Sequence, residues 1–105
     1  MYMASRSLVA FRTMVHRRSE QLRELAPEDL RRAGDEPIQR VTVGARRGTI
    51  AVIVQQTPTG ALKVVIQGFL RKRLVPIKDV AIDGFYKYPD GAVADMSPDE
   101  FYDFD

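Results

Sequence analysis

Ala4, Leu8, Phe11, Val15, Leu22 and Leu25 recur at steps of three, four and seven, so a 3.6-residue period gathers them into one apolar stripe. The spacing predicts an amphipathic helix from about Ser5 to Leu25. Arg18 alone interrupts the stripe, in a place where its stem can cover apolar surface while its guanidinium stays in water. Ala26-Pro27-Glu28-Asp29 reads as a second start, with proline at the first helical position and acids in the first turn. Arg31 and Arg32 complement the last turn, and Gly34 ends this shorter helix.

From Ile38 the period falls to two. Ile38 to Val43 is expected to pair with Thr49 to Gln55 across Gly44-Ala45-Arg46-Arg47-Gly48, whose glycines allow a positive φ in the loop. Thr57-Pro58-Thr59-Gly60 is a turn that leads to a third strand, Ala61 to Leu70. A basic connection containing Pro76 leads to a fourth strand from about Val80 to Tyr88. Tyr88-Pro89-Asp90-Gly91 then turns the chain into a short edge strand, Ala92 to Asp95. Ser97-Pro98-Asp99-Glu100 has the form of a capping box, so a last short helix is expected to hold Phe101, Tyr102 and Phe104.

No connection is long enough for a parallel crossover, which makes the sheet an antiparallel meander of four or five strands. The expected class is α+β in a single domain, 1–105: a helical part over 1–34, a sheet over 38–96, and an acidic helix or tail over 97–105. Alternation assigns Val41, Val43, Ile50, Val52, Val54, Leu62, Val64, Ile66, Val80 and Ile82 to the face beneath the first helix. The opposite face would then carry Ala51, Ile53, Val65, Phe69 and Phe85, interrupted by Thr42, Gln55, Lys63, Gln67, Asp83 and Lys87. A wet sheet face is normally polar, so this band calls for cover. Either the chain's own ends supply it (Met1, Tyr2 and Met3, or Phe101, Tyr102 and Phe104), or a protein partner or second copy docks on Ile53, Val65, Phe69 and Phe85.

Composition then narrows the chemistry. With 45% hydrophobic and 29% charged residues the chain can build a core, and the absence of cysteine removes disulfides, thiolate metal sites and thiol nucleophiles. No apolar run is long enough to cross a membrane. The arginine- and serine-containing start, without an acid before Glu20, has the composition of a mitochondrial transit segment, but the expectation is an ordinary folded helix. A cytoplasmic protein is the expectation.

The net charge of +2 hides a strong segregation. Between Pro37 and Lys78 there are eight cations and no carboxylate, and from Asp79 onward Lys87 faces eight acids. Alternate hairpin loops of a meander lie at the same end, so Arg46, Arg47, Arg71, Lys72 and Arg73, with Lys78, are expected to form a basic rim. Phosphate suits such a rim, and nucleic acid is the alternative ligand to a protein partner, although no recognised nucleic-acid-binding signature is present. The last strand is expected to carry Asp95, Asp99, Glu100, Asp103 and Asp105 back toward the rim and neutralise it. The alternating acids and aromatics of the terminus also suit docking in a basic groove elsewhere.

Catalytic candidates are sparse. His16, the sole imidazole, has Glu20 one helical turn away, the arrangement of a surface pair. No serine near it carries a triad motif, Asp95, Asp99 and Asp103 lack a calcium-loop pattern, and the glycines at 44 and 48 join strands rather than open a helix. Phe85-Tyr86-Lys87-Tyr88 is read as a register lock rather than a base-stacking platform. The expectation is a non-enzymatic binding module without cofactor, metal or small-molecule ligand.

Overall fold

A computed structural model describes residues 5–72, 74 and 76–102. Helix α1 spans Arg6–Arg23 and α2 spans Pro27–Gly34. The strands are β1 (Gln39–Val43), β2 (Arg46–Gln56), β3 (Leu62–Arg71), β4 (Lys78–Lys87) and β5 (Val93–Asp95), followed by a 3-10 turn, Pro98–Tyr102. The strands form one antiparallel meander in the order β1-β2-β3-β4-β5, as the connection lengths require. Met1, Tyr2, Met3, Arg73, Asp103, Phe104 and Asp105 lie outside the described residues, and so do the expectations placed on them.

Ser5 caps α1, its hydroxyl accepting from the Leu8 amide at 3.1 Å. Leu8, Phe11, Val15, Ser19 and Leu22 form the buried side of the helix, so Ser19 supplies the position missing from the apolar stripe. Arg18 stands beside that stripe and reaches Glu36 at 3.3 Å. α1 lies along β3 and β4 on one face of the sheet, and α2 closes the same face over β2. Phe11 and Val15 come down on Gly68, where an added Cβ would stand 2.7 Å from Phe11 Cζ and 2.8 Å from Val15 Cγ2. The missing side chain is what lets the helix approach so closely. At the far end of α1 the buried Lys87 donates to the Arg23 carbonyl at 2.8 Å, setting a cation against the helix C-terminus.

The first hairpin is tighter than expected. β2 starts at Arg46 and pairs it with Val43, so the turn is only Gly44-Ala45, with Gly44 at φ 61°.

A second correction concerns β4. Its register with β3 pairs Val64 with Phe85, Gly68 with Ala81 and Phe69 with Val80. Ala81, Asp83, Phe85 and Lys87 therefore face the helices, whereas Val80, Ile82 and Tyr86 face away, the reverse of the assignment made from alternation. The space under Phe11 explains the choice. Gly68 admits the ring, and its register partner Ala81 keeps the same row small beneath the helix, where valine or isoleucine would add bulk. Phe85 is consequently fully buried in the core with Leu22 and Leu62 and does not belong to the open face. Pro98–Tyr102 forms a 3-10 turn rather than an α-helix. The Glu100 carboxylate accepts from the Ser97 amide at 2.8 Å, which is half of the expected capping box.

Candidate functional site

Both α-helices cover one face of the sheet, and among the described residues the other carries only Met96 and the 3-10 turn at one end. Strand alternation sorts charge between the two. Asp79 and Asp83 on β4 and Asp95 on β5 all share the face of the helices, because their registers place them beside Leu70, Ile66 and Phe85. On the open face the strands carry Arg40, Arg47, Lys63, Arg71 and Lys78, and among the described residues no strand carboxylate accompanies them. The overall balance near neutrality therefore conceals a sheet whose strand acids all lie on one side, together with Arg46 and Lys87, while the charged strand residues on the other are all bases.

On the helix side the acids are engaged. Arg46 Nη2 donates to Asp79 Oδ2 at 2.7 Å, Arg46 Nε donates to the Arg71 carbonyl at 2.7 Å, and Lys72 stands 3.7 Å from Asp79. The hydrogen bond from Arg46, aided by the charge of Lys72, holds the Asp79 carboxyl below its ordinary range. Asp83 Oδ2 lies 2.9 Å from His16 Nδ1, and Glu20 lies 3.0 Å from His16 Nε2. The two carboxylates raise the imidazole above its ordinary value, with the hydrogen bond to Asp83 as the main cause. His16 thus ties α1 to β4, with an acid on each ring nitrogen, and among the described residues no serine or other nucleophile is hydrogen-bonded to it.

The expected rim is accordingly divided. Neighbouring residues of a strand point to opposite faces, so Arg46 and Arg47 cannot serve one site, and neither can Arg71 and Lys72. Arg46 and Lys72 neutralise Asp79. Arg47 and Arg71 turn to the open face, where they meet Arg40 and Lys78 around a groove of about 530 Å³ that also includes Thr42, Thr49 and Phe69. All four cations are exposed, and Lys78 Nζ lies 5.7 Å from the centre of the Phe69 ring. Arg40 was absent from the expected site, yet it alternates with the inward Val41 and Val43 and for that reason had to emerge on the open side.

The acidic end does not return to this groove within the described residues. β5 is only three residues long and pairs with Phe85 to Lys87, at the other end of β4. Asp95 is held there by Arg23 at 2.6 Å, and Glu100 accepts from the Tyr86 hydroxyl at 3.3 Å. Eight strand residues separate Arg71 from Lys63, whose register partner is Tyr86. At the usual rise this puts roughly 27 Å between the basic groove and Glu100's end of the face.

Of the expected apolar docking residues, Ile53 and Val65 are register partners and Phe69 lies further along β3 on the same face. Val65 is already buried, and Met96 crosses Gly84, the residue paired with Val65. The chain's own end thus covers part of the open face at its far end. Ile53, Phe69 and Ile82 stay half-buried, and Val80 is 42% exposed.

Among the described residues no group of three or more His, Cys, Asp or Glu is placed to hold a metal ion, and no helix is long and apolar enough to cross a membrane. No family model, curated protein or solved structure matches the chain.

Proposed function

We propose that the protein acts by binding rather than by catalysis, and that the open face of its sheet is a surface for single-stranded nucleic acid. The observation that supports this reading most directly is the partition of charge. Arg40, Arg47, Arg71 and Lys78 surround one groove on a face whose strands carry no acid, and Phe69 lies between them. Guanidinium forks donate to phosphate oxygens in pairs, and an aromatic ring on an open sheet offers a plane on which a base stacks.

The test is fluorescence anisotropy with labelled oligothymidylate across a salt series. Full engagement of the four cations with phosphate charge sets an upper bound of about −3 on the slope of log K against log salt, so a fourfold rise in salt weakens binding by as much as roughly fifty-fold. Arg47→Gln and Arg71→Gln each lower the slope by about 0.7. Binding that ignores salt, or that survives loss of both arginines, would contradict the proposal.

A second reading, docking of a protein partner or another copy of the chain on Ile53, Val65 and Phe69, draws support from the exposed Val80 beside them. Two copies placed face to face would bring the same cations together, which disfavours a dimer through this end of the face. Measurement of the solution mass, with Phe69→Asp as the disruptive variant, separates the two readings. A dimer that dissociates on that substitution supports the second.

A further inference from the structure

Four of the five strand cations of the open face, all but Lys63, are grouped at one end instead of running along its length, and this grouping bears on which part of a strand they hold. Arg40, Thr49, Phe69 and Val80 are successive register partners across four strands and form one transverse row. Two residues further on, Arg47 on β2 follows Thr49, and Arg71, paired with Lys78, follows Phe69. Adjacent strands lie about 4.8 Å apart, so three like charges stand side by side, an arrangement that destabilises a sheet unless an anion relieves it.

In the other direction the face is uncharged for a long stretch. Ala51, Ile53 and Gln55 follow on β2 and Gln67 and Val65 on β3, and the next strand cation is Lys63. A strand lying along the sheet would present its phosphates one after another, each needing its own cation. A phosphomonoester at a strand end instead concentrates roughly −1.5 to −2 charges and three acceptor oxygens at one point. The cation row matches the second pattern.

The ring and the row are also suitably spaced. Along the strand the backbone of Phe69 stands about 7 Å from that of the cation row, room for a sugar between a base stacked on the ring and its own phosphate. Lys78 Nζ, 5.7 Å from the ring centre, moves off the ring toward the phosphate when the base stacks. The groove of about 530 Å³ is of the size that holds a single small ligand.

We propose that this groove receives the phosphorylated end of a single strand, with the terminal base on Phe69 and the phosphomonoester among Arg47, Arg71 and Lys78. The inference rests on the reading of the open face as a nucleic-acid surface.

Three internally labelled oligothymidylates of equal length test it on the full chain: one with a 5′-phosphate, one with a 3′-phosphate and one with hydroxyls at both ends. One phosphorylated form is expected to bind about ten- to a hundred-fold more tightly than the hydroxyl form, the gain of one or two charge-assisted hydrogen bonds. Arg71→Gln, an exposed change whose fold is checked by circular dichroism, is expected to abolish that preference while weakening the hydroxyl form much less. Equal affinity for all three ends overturns end recognition and leaves the wider reading of the face standing. Absence of binding to any of them overturns both. Thymidine monophosphate competing as well as the phosphorylated strand overturns the assignment to a strand end in favour of a free-nucleotide site.

Discussion

Replacing Gly68 with alanine is expected to destabilise the fold by about 2 kcal/mol, and the contact responsible can be isolated. The new methyl would stand 2.7 and 2.8 Å from two ring carbons of Phe11 and 2.8 Å from Val15 Cγ2, closer than carbon atoms approach without displacement. Phe11 and Val15 are both fully packed members of the core, so neither side chain can swing into solvent and the helix itself must lift. In a chain of this size, 2 kcal/mol lowers the thermal midpoint by roughly 10 °C. Urea unfolding followed by far-ultraviolet circular dichroism gives the free energy directly. Phe11→Leu alone should cost roughly 1–3 kcal/mol through the space it leaves. In the double variant the alanine methyl fills part of that space, so the pair should be less destabilised than the sum of the singles by roughly 1 kcal/mol. Strict additivity, or a Gly68→Ala protein within about 0.5 kcal/mol of the parent, would refute the seating of α1 on this glycine and the explanation of the β4 register with it.

Other consequences are as direct. The Ser19 hydroxyl is fully buried with no hydrogen-bond partner among the described residues, so Ser19→Ala should stabilise the protein by about 1 kcal/mol, read as a higher urea midpoint at unchanged slope. His16 is raised above 6.5 in the folded protein, so its contribution to stability is complete below that pH and disappears as pH rises through the folded value. Stability of His16→Gln measured across that window should lack this component, and a pH profile identical to the parent's would contradict the bridge from α1 to β4. Asp79 titrates below 3.8 when folded, so the stability it lends is present above that pH and is lost on acidification through the folded value. Asp79→Asn should cost about 1–2 kcal/mol at neutral pH while leaving oligothymidylate affinity within about twofold, because the carboxylate lies on the helix side of the sheet.

Much of the fold is legible in local signals. The stripe through Leu8, Phe11, Val15 and Leu22, the cap at Ser5, the start at Pro27 and the turns at Thr57 to Gly60 and Tyr88 to Gly91 all depend on residues within a few positions of one another. The helices, strands and turns therefore stand close to where periodicity and turn chemistry place them. The candidate site was legible only in part. The charge run groups Arg46, Arg47, Arg71, Lys72 and Arg73 in one rim, because proximity along the chain says nothing about which side of a strand a residue occupies, and the strand pattern assigns Phe69 to a separate apolar patch. Arg40 was missed because its partners in the groove come from three other strands.

The sequence by itself determined the α+β class, the antiparallel meander and the separation of base from acid along the chain, since short connections and hydrophobic period leave few alternatives. Only the tertiary structure decided the faces of β4. From Val80 to Phe85 the apolar residues are distributed over both parities, Val80 and Ile82 against Ala81 and Phe85, so hydropathy cannot choose between them. The choice was made by the room beneath Phe11 and by Arg46 and His16, the partners of Asp79 and Asp83, contacts across as many as 67 positions of chain. Once β4 was placed, its acids turned toward the helices, Lys78 turned outward, and the open face was left basic at one end.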